Sequence, residues 1–133
     1  MASWHLNGVV LPGTEPVDLW VRDGVISAEP VAGAETLGSG LWIMPGLVDA
    51  HCHIGLGAGG AVDRATAEQQ AITDRDSGVL LIRDAGAPAD THWVDHRPDL
   101  PRIIRAGRHI ARPGRYIRNF AVEVEPTELV AEV

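Results

Sequence analysis

The sequence predicts an α/β protein in which a small β-unit precedes the start of a parallel, helix-covered sheet. Three observations carry this. Asp23-Gly24 lies between two apolar runs, the spacing of a two-residue hairpin. Pro45-Gly46 breaks the chain ahead of a further apolar run, marking a boundary between residues 1–44 and 45–133. Residues 64–77 have helix composition and separate two apolar runs, so strand, helix and strand follow in order.

Each element has a local reason. Residues 4–11 and 17–22 read as strands with Pro12-Gly13 as the turn between them, and residues 25–27 complete an antiparallel unit after Asp23-Gly24. Residues 29–40 are rich in Gly, Ala and Pro and read as loop, leaving 41–44 as one more short strand. The apolar run after Pro45-Gly46 is the next strand, and residues 55–60 follow as a glycine-rich loop able to wrap a site. The helix over 64–77 has Asp63 or Thr66 as its cap and Gly78 as its stop. Residues 79–82 are continuously apolar, as in a parallel strand covered on both faces. Residues 87–101 hold three prolines and read as an irregular crossover, 102–106 as a third strand, and 107–119 as an arginine-rich loop. Residues 125–133 start like a helix with Thr127 as N-cap and no C-terminal closure, which predicts a chain truncated inside a helix.

Composition narrows the class. The chain is 45% hydrophobic and 22% charged, with mean hydropathy +0.02, which fits a folded domain and not a disordered segment. A net charge of -7 argues against nucleic acid or an anionic membrane surface as partner, since either needs a basic face. The single cysteine excludes an internal disulfide and fits a reducing compartment. No stretch approaches the roughly 18 apolar residues of a membrane span, and the first residues lack the charged and apolar regions of a secretory signal. The expected location is cytoplasmic.

The chemistry concentrates in Gly46-Leu47-Val48-Asp49-Ala50-His51-Cys52-His53. In an extended strand side chains alternate, so Asp49, His51 and His53 are expected on one face and Cys52 on the other, where it serves as a small buried hydrophobe. Two neutral imidazoles on one face can bind a first-row divalent ion, and a carboxylate one step earlier can orient the first of them. The plain alternative is two histidines that hydrogen-bond to neighbours.

The segment MPGLVDAHCHIG resembles the first barrel strand of the amidohydrolase superfamily, metal-dependent hydrolases built on a (β/α)8 barrel of the TIM type. Residues 17–29 (VDLWVRDGVISAE) resemble the hairpin of the small β-domain that flanks such barrels. Residues 78–86 (GVLLIRDAG) resemble the second barrel strand, especially in imidazolonepropionase-like and prolidase-like members. The resemblance implies that His51 and His53 are the first two metal ligands, with Asp49 behind them. It also implies one or two divalent ions, zinc foremost, and hydrolysis of C–N bonds in amides, cyclic amides or dipeptides by a metal-activated water. Many members bridge two metals with a carboxylated lysine, whereas all eleven cationic side chains here are arginine.

A complete barrel needs roughly 250 residues, and the chain has 133. The sequence therefore reads as the N-terminal portion of such an enzyme, inactive by itself, with the general base expected beyond residue 133. Its expected partners are a small-molecule substrate, the remainder of its own barrel and, as an option, a second copy of itself. A non-catalytic amidohydrolase-like fragment with a folding or assembly role is the alternative, and a self-sufficient metal-binding domain is weaker because it would expose an apolar sheet edge.

Three further residues are candidates for a substrate pocket. Asp84 follows the second barrel-type strand, where it either lines the pocket or caps the turn with its side-chain oxygen. His109 and Tyr116 follow the third strand in the same sense, although Gly114-Arg115-Tyr116 stands where some relatives have Gly-Gly-His. His92 and His96 are four apart, the spacing of two ligands on a helix face, but the surrounding prolines make a solvated polar loop the better reading.

Overall fold

The computed structural model describes residues 2–132, which divide into two compact units, one ending at Pro45 and the other beginning at Gly46. The first unit is a four-stranded sheet of β1 (Ser3–Val10), β2 (Pro16–Arg22), β3 (Val25–Ser27) and β4 (Glu35–Ile43) in the order β3-β2-β1-β4. Strands β1 and β2 pair antiparallel with Leu6 opposite Leu19, and Gly13 N–H closes their turn on the Val10 carbonyl at 2.8 Å. Asp23 (φ 54°) and Gly24 (φ 76°) are both left-handed, as the tight turn between twisted strands requires.

The antiparallel unit read over the first three strands is present, whereas residues 29–40, read as loop, are in part strand. Strand β4 begins at Glu35 and runs parallel to β1. A glycine on β1 serves their close approach. A Cβ at Gly8 on β1 would lie 2.3 Å from the Leu41 carbonyl oxygen of β4, so the missing side chain lets the two backbones meet.

The second unit opens with β5 (Leu47–Cys52), continues through the small antiparallel pair β6 (Leu56–Gly57) and β7 (Gly60–Ala61), and enters α1 (Arg64–Asp76). Asp63 caps α1 by accepting the Thr66 N–H at 2.7 Å. Gly78 (φ 93°) ends it, donating its N–H to the Arg75 carbonyl at 2.8 Å. Strand β8 (Val79–Asp84) then pairs parallel with β5 and with β9 (Arg102–Arg105), giving a three-stranded sheet in the order β5-β8-β9. The β5-α1-β8 segment is thus a parallel strand–helix–strand crossover.

The core of this unit joins Ile54, Ala67, Ala71, Ile82, Val94 and Leu100. Cover of the sheet is uneven, unlike the two-sided burial that the apolar run of β8 suggests. Ile82 is 1% exposed, whereas Leu80, two residues earlier and outside that cluster, is 54% exposed. The irregular crossover contains a 3-10 turn at His92–His96. The stretch read as an arginine-rich loop contains β10 (His109–Ala111), which pairs parallel with β11 (Ala121–Glu123). A short helix, α2 (Leu129–Glu132), follows. Glu125 and Glu128 shape its entry, with Glu128 N–H on the Glu125 carbonyl at 2.9 Å and Glu125 N–H on Glu128 Oε2 at 3.1 Å. The unclosed end expected at Val133 lies outside the described residues. Among the described residues no helix is long and apolar enough to cross a membrane.

Candidate metal centre

Strand β5 delivers His51 and His53 to its C-terminal end, where their rings meet edge to face with centroids 5.1 Å apart. The His53 Nδ1 lies 2.7 Å from the Gly86 carbonyl oxygen. A carbonyl only accepts, so Nδ1 carries a proton, and in the neutral ring Nε2 then keeps its lone pair. That tautomer suits metal ligation, with a main-chain carbonyl holding the ring in orientation. The His109 ring centroid lies 6.0 Å from that of His53, and Tyr116 lies 5.1 Å beyond His109. The structure thus gathers His51, His53, His109 and Tyr116 into one run of rings.

Asp49 stands apart from that run. The pairing of β5 with β8 is irregular between Asp49 and Cys52, which breaks the strict alternation read from the sequence. Asp49 Oδ1 accepts the backbone N–H of His51 at 2.9 Å, and its carboxylate groups with Cys52 Sγ and an Asp74 oxygen within 4.8 Å. It therefore steadies the strand end through the main chain and faces Cys52, the residue that alternation assigns to the opposite side.

Cys52 is half-buried against the core, and its thiol donates to Asp74 Oδ2 at 3.5 Å. Burial, followed by the charge of Asp74, pushes the thiol pKa up to about 12. A thiol held protonated is a poor nucleophile and a poor metal ligand. Alkylation by iodoacetamide at pH 8 is expected to be about 10²-fold slower in the native protein than in urea. Equal rates, measured by mass spectrometry, would show that the thiolate forms freely.

Asp84 ends β8 and is 2% exposed. Its Oδ1 accepts the Gly86 N–H at 2.8 Å, closing the turn, and the residue also lines a cavity of about 440 Å³ with Thr91, Arg105, Gly107 and Arg108. Asp84 thus closes its turn and borders this cavity at once. The cavity lies at the C-terminal ends of β8 and β9, where barrel enzymes place their pockets. Arg105, which sequence reasoning passed over, forms one wall. Its guanidinium donates to the Thr91 hydroxyl at 2.9 Å, the Thr91 carbonyl at 2.6 Å and the Asp95 carboxylate at 3.0 Å. Such a fork is available to arginine and not to lysine.

Gln70 was also missed. From α1 it accepts the Gly55 N–H at 2.8 Å and donates to the Leu56 carbonyl at 2.9 Å, tying the segment after His53 to the helix. His92 is exposed and bonds Asp90 at 2.7 Å, and the structure does not bring it to the run of rings.

No family model matches the chain. It is 60% identical over 121 residues to uncharacterized proteins of Mycobacterium tuberculosis and Mycobacterium bovis, a match covering 91% of this chain and 33% of each relative. The chain therefore spans about a third of the length of the curated relatives it matches. Among solved structures it superposes on a prolidase-type protein from Bifidobacterium longum with TM-score 0.71 and 24% identity, over 94% of this chain and 35% of that one. An amidohydrolase gives TM-score 0.70 at 17% identity, over 98% and 43%. A Xaa-Pro dipeptidase with methionine in its active site gives 0.63 at 18% identity, over 83% and 34%. The chain has the fold that these hydrolase structures share over about a third to two fifths of their length.

Proposed function

We propose that this chain is the N-terminal portion of an amidohydrolase-superfamily enzyme that hydrolyses C–N bonds of amides, cyclic amides or dipeptides with the help of a divalent metal ion. The observation that carries the reading is His53, held by the Gly86 carbonyl so that Nε2 is free, in ring contact with His51 at the C-terminal end of a parallel strand. The fold shared with prolidase-type and amidohydrolase structures supports it.

The residues fit a zinc-like ion in kind, since two neutral imidazoles are borderline-soft nitrogen donors of the type zinc prefers. They supply two of the three or more protein ligands of a catalytic site, so the centre is completed by other residues of the longer protein. When bound, such an ion supplies a water of lowered pKa and polarises the substrate carbonyl. Hydrolysis forms a bond from the water oxygen to the carbonyl carbon, breaks the C–N bond and places a proton on the departing nitrogen. Within this chain His51 and His53 would hold the ion, the Gly86 carbonyl orients His53, and His109 and Tyr116 would offer polar groups to the substrate on the adjoining side. The later strands of a (β/α)8 barrel would carry the general base, and a cytoplasmic location suits the protonated, unpaired Cys52.

The test uses the full-length protein against a panel of dipeptides, Xaa-Pro among them, and cyclic amides. Turnover is expected for one of these classes, abolished by a chelator and restored by zinc. Turnover indifferent to chelation would overturn the metal-dependent reading.

A further inference from the structure

We infer that Asp84 is a positioning residue, selecting the His53 tautomer through the main chain of Gly86. The structure shows two consecutive hydrogen bonds. Asp84 Oδ1 accepts the Gly86 N–H at 2.8 Å, and the Gly86 carbonyl accepts the His53 Nδ1–H at 2.7 Å. Each side of this link is fixed. Ala85 N–H bonds the Cys52 carbonyl at 2.9 Å, and Ala106 N–H bonds the Asp84 carbonyl at 2.9 Å, so the segment after β8 is tied to both neighbouring strands.

What remains adjustable is the rotation of the residues around Gly86, which sits at φ 117°, a conformation most residues avoid. A backbone free to leave that conformation would turn the Gly86 carbonyl away from His53. The buried Asp84 carboxylate, by holding the N–H of that residue, keeps the carbonyl aimed. The plain alternative is that Asp84 only closes a turn. The two differ in what happens to the ring, because only a positioning role ties the proton on His53 to the acceptor at residue 84.

The consequence for metal binding rests on the proposed ligand role of His53, whereas the tautomer itself does not. The experiment therefore separates them. In metal-free full-length protein with 15N-labelled histidine, the two ring nitrogens of His53, assigned with a His53→Gln variant, report which one carries the proton. The native protein is expected to show Nδ1–H. Asp84→Ala, or Asp84→Leu where the alanine variant does not fold, is expected to mix the tautomers. It is also expected to weaken zinc binding about 10- to 100-fold, the usual effect of losing an orienting partner behind a ligand. Asp84→Asn retains an acceptor oxygen and is expected to restore both. Unchanged His53 nitrogens in a folded Asp84→Ala or Asp84→Leu variant, or loss of the fold in both, would overturn the inference. Native protein that shows the tautomer but binds no zinc would instead overturn the metal reading and leave the positioning intact.

Discussion

If the proposed metal centre is correct, replacing His51 and His53 together by asparagine is expected to strip the full-length protein of the divalent ion. Asparagine approximates the size of imidazole near the backbone but offers no ring nitrogen, so the fold of β5 should persist while both donors disappear. Elemental analysis after dialysis should find the metal at background, with stoichiometric metal in the unmodified protein. A second readout follows from linkage. An ion present at about 1,000 times its dissociation constant stabilises the native state by about 4 kcal/mol, so zinc should raise the melting temperature of the native protein and leave the variant unmoved. Unchanged metal content in the double variant would sink the assignment of both histidines.

The largest purely structural effect is expected at Ile82. It is 1% exposed at the centre of β8 and packs in one cluster with Ile54, Ala67, Ala71, Val94 and Leu100. Truncation to alanine removes three carbons from a site walled by strand, helix and crossover, and is expected to cost about 3 kcal/mol, within the range of about 2–5 kcal/mol for such changes. Leu80→Ala on the same strand is the internal comparison. Leu80 is 54% exposed, so its truncation should cost under about 1 kcal/mol. Urea unfolding with a common slope measures both. Equal costs would mean that the cluster around Ile82 is not where this unit holds together.

Much of the architecture was legible because it depends on local chemistry. Asp23-Gly24 encodes a hairpin through two left-handed residues, and Asp63 with Gly78 brackets α1 through caps that any reader of the sequence can place. What escaped depends on partners far along the chain. The start of β4 looks like loop because Gly38 and Gly40 carry no pattern, and the strand is made by its pairing with β1, where Leu41 lies against Gly8. Strands β10 and β11 are three residues each, too short for a period, and exist only as a pair.

The site divides along the same line. His51 and His53 are legible as residue types at a telling spacing. The direction of Asp49 is not, because the irregular pairing between Asp49 and Cys52 arises between strands. Gly86 contributes a carbonyl, which every residue has, so nothing in its letter announces that it meets His53. Arg105 is one of eleven arginines until Thr91 and Asp95 close around it.

Gly86 also bears on how a saturation scan of this protein should be interpreted. A Cβ at position 86 would stand 3.0 Å from His109 Nε2 on a backbone at φ 117°, so every side chain is disfavoured there by shape and torsion alone. At position 53 the losses would follow from the missing ring nitrogen. The two positions would give the same phenotype in a growth selection, one because anything is too much and the other because only one functional group suffices. A main-chain contact of this kind leaves its genetic mark as a glycine, and a catalogue of intolerant positions sorted by side-chain chemistry would file it under folding.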